Sequence, residues 1–187
     1  ASAAAFDVFE NATRRYPKPQ WTLDAVTVNG AEVPVSIEIA ASKSFCDLLH
    51  FRRDADALRR FKGSPADDPK VLIIAPLSGH YATLLRGTVE AMAPDHDVYI
   101  TDWANARNVP LSAGRFDLND FVDYVVDFLR HLGPGAHAMA VCQPGPALLA
   151  AASLMAEDDD PCRPASITIM GSPIDARRSP TVPNLLA

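Results

Sequence analysis

The stretch Ala136-His137-Ala138-Met139-Ala140-Val141-Cys142-Gln143-Pro144-Gly145-Pro146, followed by an apolar run over 147–156, decides how the rest of the chain is read. A short strand-like segment meets a corner, the corner carries a cysteine, and a helix leaves it. That order is the context of a nucleophile elbow, where a strained turn holds a reactive side chain clear of its neighbours. Close approach of strand and helix calls for small residues two positions either side of the nucleophile. Ala140 and Pro144 stand there, where glycines are usual. Proline is tolerated in a first helical turn because its N–H would be unpaired anyway. A thiol at a helix N-terminus is well placed for nucleophilic attack. The backbone N–H of Gln143, with a second from the loop after Ala75, taken as that of Ser78, would form an oxyanion hole.

The segments on either side give this corner its setting. Residues 71–75 are continuously apolar, as in a strand buried on both faces of a parallel sheet. Leu77-Ser78-Gly79-His80 is a turn, and Leu84, Leu85, Thr88, Val89 and Met92 line a helical face that Pro94 stops. Residues 97–103 read as the next strand. Asp117, with Asp120 three positions on, caps a helix whose stripe runs from Leu118 to Leu132 and ends at Gly133-Pro134. The 147–156 segment, apolar on all sides, reads as a deeply buried helix. Residues 166–170 form a last strand, and Gly171-Ser172-Pro173 opens a proline-rich tail. Strands alternating with helices argue for right-handed crossovers and an α/β chain with a mostly parallel sheet. Sites in such sheets lie at the carboxyl ends of the strands. Cys142, Leu77-Ser78-Gly79, Trp103-Ala104-Asn105 and Gly171-Ser172-Pro173 therefore share one edge, and His80, Trp103 and Asn105 are candidates to line the site.

Before residue 70 the pattern is antiparallel. Phe6, Phe9 and Ala12 give an amphipathic helix over 3–15, closed by Pro17 and Pro19. Strands at 22–28 and 33–40 flank Asn29-Gly30, a strong hairpin signal, and Pro34 makes the second strand an edge or bulged one. Residues 45–51 suit a third strand, while 52–61 suit a helix as well. The polar loop 63–69 separates this region from the parallel core.

Composition bounds the function. A chain of 187 residues suits one domain, and a net charge of −6 offers nothing to nucleic acid or an anionic membrane. Three cysteines at irregular spacing make neither a disulfide framework nor a zinc site, so a reducing compartment is expected. No apolar run nears the roughly 18 residues of a spanning helix, and no secretory signal opens the chain. The start without methionine leaves a trimmed end open. Cys46 and Cys162 read as structural, and Asp158-Asp159-Asp160 as a solvated loop. His50, His96, His131 and His137 lack metal-like pairing, so no metal is expected, and no glycine-rich phosphate loop follows Ala75. A cysteine near a strand end is most often a small buried hydrophobe; the elbow is what singles out Cys142. A thiol nucleophile also needs a base and an orienting acid. Beyond Cys142 there is no histidine, and Asp175 follows the last strand too soon.

Three motifs in order, Ala75-Pro76-Leu77-Ser78-Gly79-His80-Tyr81-Ala82-Thr83-Leu84-Leu85-Arg86, Thr101-Asp102-Trp103-Ala104-Asn105-Ala106-Arg107-Asn108-Val109-Pro110 and Val141-Cys142-Gln143-Pro144, resemble intracellular polyhydroxyalkanoate depolymerases over most of the chain. The resemblance implies an α/β-hydrolase fold, cytoplasmic cleavage of stored polyhydroxybutyrate at the granule surface, and Cys142 in place of the usual serine. It also implies that the aspartate and histidine lie in a C-terminal portion, carried here by a second chain of the same protein. The 187 residues are then the N-terminal portion of one domain, its sheet incomplete without its C-terminal strands: 1–69 helix and N-terminal strands, 70–172 parallel core, 173–187 the start of a lid or linker. No cofactor is expected, although coenzyme A could replace water as acceptor of the hydroxyacyl group from a Cys142 thioester. The unpaired 166–170 edge either takes cover from another chain, the missing half or a second copy in a homo-oligomer, or invites aggregation. Two other readings stay open. A polyhydroxyalkanoate synthase also uses a cysteine, but its elbow normally keeps glycines where Ala140 and Pro144 stand. A non-catalytic granule-binding fragment would need no base.

Overall fold

The computed structural model describes residues 2–14, 17–63, 68–77, 81–178 and 180. The expected site residues Ser78 and His80, and the tail over 181–187, lie outside the described residues. Helix α1 (Ser2–Thr13) comes first, and its Phe6, Val8 and Phe9 face outward. Strands β1 (Ala25–Val28) and β2 (Ala31–Lys43) then form the expected hairpin. Asn29 and Gly30 adopt φ of 50° and 80°, the paired left-handed conformation that a two-residue turn between twisted strands requires. β2 pairs with β1 through Ala31 to Pro34 and with β3 from Val35 onward. Pro34 therefore sits where one ladder gives way to the next. The strand is neither the edge nor bulged at Pro34 as expected: β1 and β3 flank it, and the bulge falls between Ile39 and Ala41.

Strand β3 (Cys46–Arg53) runs two residues beyond the expected segment. Asp54 then caps helix α2 (Ala55–Phe61), its Oδ1 accepting from the Ala57 N–H at 2.7 Å. The parallel core follows: β4 (Lys70–Ile74), helix α3 (Arg86–Met92), β5 (Asp97–Trp103), helix α4 (Leu118–Leu132), β6 (His137–Val141), helix α5 (Gly145–Glu157) and β7 (Ser166–Met170). The sheet has seven strands in the order β1-β2-β3-β5-β4-β6-β7. β5, β4, β6 and β7 are parallel, and β3 runs antiparallel to β5. β4 lies between β5 and β6, which is why Val71 to Ile74 are buried and apolar throughout.

Helix α4 carries a capping box. Asp117 Oδ1 accepts from the Asn119 and Asp120 N–H groups, and Asp120 Oδ2 accepts from the Asp117 N–H at 2.7 Å. Its buried face runs from Phe121 to Leu132, and α5 packs beside it.

Two expectations need correction. Helix α5 is apolar but not deeply buried: Leu149 is 37% exposed and Leu154 49%, and only a stripe through Gly145, Ala147, Leu148, Ala151 and Met155 is covered. Alanine carries too little surface to demand burial, so an alanine-rich helix still presents one buried face and one open one. The aspartate run is not uniformly solvated either. Asp160 is buried, accepts from the Cys162 N–H at 2.8 Å and pairs with Arg130 Nε at 2.7 Å, while Asp158 and Asp159 are exposed. The Cys162 N–H first, and Arg130 second, hold its carboxyl below the ordinary aspartate range. β7 is the edge expected: Ile167 and Met170 are part exposed, and among the described residues no strand pairs with its outer side.

Candidate active site

β6 enters the corner between β4 and β7, Ala140 registering with Ile74 on one side and Ile169 on the other. Cys142 then turns the chain with φ of 66°, the left-handed region that a side chain with a Cβ seldom occupies. Such a conformation costs on the order of 1–3 kcal/mol and persists only where surrounding contacts enforce it. Those contacts are present. The Cys142 N–H donates to Met170 O at 2.8 Å, which carries the β6–β7 ladder one step past the strand, and Leu148 N–H donates to Pro144 O at 2.9 Å to start α5. The thiol residue itself is exposed. Cys46, by contrast, is 1% exposed, and burial pushes its thiol well up; it is structural, as expected.

The crowding of the elbow falls one residue later than the sequence suggests. Pro144 is accommodated and buried, whereas Gly145 is the position without room. A Cβ there would overlap Ser172 Cβ and Oγ and lie 3.2 Å from Ile169 Cγ2. The signal was present as a glycine at the first helical position, but its reason lies 27 residues away in the loop after β7. At the other small position Ala140 is fully buried, in line with expectation.

Beside the corner lies a cleft of about 380 Å³, walled by Leu77, Phe116, Leu118, Phe121, Pro146 and Ala147, with Gln143 and Asp117 as its polar members. The apolar residues come from three places: the loop after β4, the start of α4, and the first turn of α5. Phe116 and Phe121 flank the Asp117 cap with ring centroids 6.3 Å apart, a hydrophobic staple that also forms a wall. That pair was legible as Phe-Asp-x-x-Asp-Phe, although its use as a wall was not. A second depression, between the β2–β3 ladder and α2, is lined by Arg52, Arg53 and Glu38 and lies away from the elbow.

Each sequence candidate has a definite place. Gln143 is exposed next to the thiol, and among the described residues no acceptor engages its backbone N–H. Trp103 is buried rather than open to the cleft: its Nε1–H donates to Ala75 O at 2.8 Å and its ring meets Phe121 edge-on at 4.8 Å. It forms the floor under the aromatic wall. Asn105 is exposed and caps the 3₁₀ turn over 106–108 by accepting from the Arg107 N–H, outside the cleft lining. The described histidines belong to the opposite end of the sheet. His50 meets Asp97 at the start of β5, His96 precedes that strand, His131 ends α4, and His137 opens β6. No base for Cys142 stands among the described residues, nor any cluster of His, Cys, Asp and Glu able to hold a metal.

A mostly parallel sheet with antiparallel N-terminal strands, and a cysteine at a left-handed corner between strand and helix, make this an α/β-hydrolase fold. No protein-family model matches the sequence, and no curated protein matches it. Among solved structures the chain is similar to a protein designated a lipase (lip1) from Acinetobacter baumannii AYE, at 16% identity and a TM-score of 0.43, over 74% of this chain and 42% of that one. It is also similar to MGS-M1, an alpha/beta hydrolase enzyme from a Medee basin deep-sea metagenome library, at 12% identity and a TM-score of 0.36, over 73% of this chain and 56% of that one. The chain thus spans about half the length of these structures.

Proposed function

We propose that this chain carries the nucleophile of a carboxylic ester hydrolase and that its substrate is intracellular polyhydroxybutyrate. The observation that carries the reading is the exposed Cys142 thiol on a left-handed corner at the carboxyl end of β6, beside an apolar cleft. The thiolate sulfur attacks the ester carbonyl carbon, and the negative charge that develops on oxygen is met by the Gln143 N–H and a donor from the loop after β4. The C–O bond to the alcohol then breaks, the alcohol takes a proton, and a hydroxyacyl thioester remains on Cys142. Water cleaves that thioester to the hydroxyacid and restores the thiol; coenzyme A in place of water would give a hydroxyacyl thioester product. Among the described residues no cationic side chain lines the cleft, which suits a neutral, weakly polar polyester chain. We place the base and acid that serve Cys142 in chain outside these 187 residues, and the whole protein at the surface of cytoplasmic storage granules. No helix among the described residues is long and apolar enough to cross a membrane.

The test uses the complete protein with amorphous polyhydroxybutyrate granules and, separately, with hydroxybutyryl-coenzyme A. Acid release from granules that disappears in Cys142→Ala supports the depolymerase. Polymer growth from the thioester would move the assignment to a synthase, and neither activity would leave a granule-binding role.

A further inference from the structure

The side chain of Gln143 has a bond of its own. Its Oε1 accepts from the Leu77 N–H at 3.1 Å. Leu77 is the third residue past β4 and Gln143 the second past β6, and these strands are parallel neighbours. The side chain therefore bridges the two loops that leave adjacent strand ends, and both residues wall the cleft. The loop after β4 is pegged close to the sheet at Ala75, whose N–H donates to Thr101 Oγ1 at 2.9 Å and whose carbonyl accepts from Trp103 Nε1 at 2.8 Å. Pro76 has no N–H to offer. Leu77, the last described residue before 78–80, is held by its bond to Gln143.

We propose that Gln143 is a positioning residue for acyl transfer at Cys142. It gives its backbone N–H to the developing oxyanion, and through Oε1 it holds Leu77, on the facing side of the cleft, at a constant spacing from the elbow. The inference rests on the Cys142 reading. Its physical basis is preorganisation: donors fixed before reaction need not be reordered as charge develops. The bond is solvent-exposed and adds little to stability, so its effect belongs in turnover rather than in folding.

The experiment compares the parent complete protein with Gln143→Met, which keeps length and bulk and removes the acceptor. Two rates are measured: turnover of p-nitrophenyl butyrate, and alkylation of Cys142 by iodoacetamide, which passes through no oxyanion. The expected result is a kcat lowered about tenfold with KM changed by less than about twofold, and an unaltered alkylation rate. A kcat within about twofold of the parent overturns the proposal, and so does an alkylation rate that falls in step with kcat, since that reports a disturbed elbow. The parent protein alkylated at Cys142 separates the two levels. If it still hydrolyses the ester, the Cys142 reading itself fails; if it is inactive while Gln143→Met matches the parent, only the positioning role fails.

Discussion

The two ends of the central sheet are built on different principles. At the amino end the charged groups are paired. Arg53 meets Asp68 at 2.8 Å with both side chains buried, Lys62 reaches Asp68 and Asp95, His50 Nε2 lies 2.7 Å from Asp97, and Lys70 donates to Leu132 O. At the carboxyl end the thiol of Cys142 is exposed, the Gln143 N–H has no acceptor among the described residues, and the neighbouring surface is an apolar cleft. Even the acid that β5 carries to that end, Asp102, is buried and paired with Lys18 rather than turned to the cleft. Paired charges tie neighbouring elements together, whereas open polar groups beside a cleft are available to a ligand. The chemistry proposed for Cys142 thus sits at the end of the sheet where the polar groups are open.

The largest expected effect tests that contrast with two cysteines. In the folded protein Cys142 should alkylate on the order of 10³-fold faster than Cys46, which burial keeps in the thiol form and which reacts only through opening of the sheet. Peptide mapping after a timed iodoacetamide pulse gives the ratio, and equal rates would remove the distinction. Next, Arg53→Met leaves the buried Asp68 carboxylate with Lys62 as its remaining partner and should cost about 2 kcal/mol in urea unfolding. Ester turnover per folded molecule should stay at the parent level, because the pair is at the far end from Cys142. Gly145→Ala acts the other way. The overlap with Ser172 should cost about 2 kcal/mol and disturb turnover at the elbow, and adding Ser172→Gly should recover part of both.

The smallest effect is a pH dependence at the amino end. Burial tends to raise the Asp97 carboxyl, but the hydrogen bond and charge of His50, with Tyr99, outweigh it and leave the group below its ordinary value. A depressed acid contributes stability that is present above its unfolded pKa, roughly 3.9, and is lost as pH falls through the lower folded value. Stability to thermal unfolding should therefore weaken as pH falls below about 4, by about 1 kcal/mol or less for a pair this near the surface. Asp97→Asn should flatten that part of the profile; an unchanged slope would deny the pair any share in it.

What was legible in the sequence was local. Asn29-Gly30 set the hairpin because its two residues accept positive φ, and Asp117 with Asp120 set the start of α4 because the box closes within four residues. The corner at Cys142 was readable because strand, turn and helix follow without a break. The rest depends on partners far apart in the chain. Gly145 is confined by Ser172, Gln143 is tied to Leu77, and Asp160 is drawn out of its acidic run by Arg130. Periodicity carries no information about such meetings. It also misjudged α5, since alanines count as apolar whether or not anything covers them.

The central claim is that Cys142 accepts the acyl group. The complete protein, mixed with a soluble 3-hydroxybutyrate oligomer and quenched within one turnover, should yield the peptide that contains Cys142 with one hydroxybutyryl group on its sulfur. Cys142→Ala should lack the adduct and lose hydrolysis by about 10³-fold or more. Hydrolysis by Cys142→Ala at the parent rate would contradict the account.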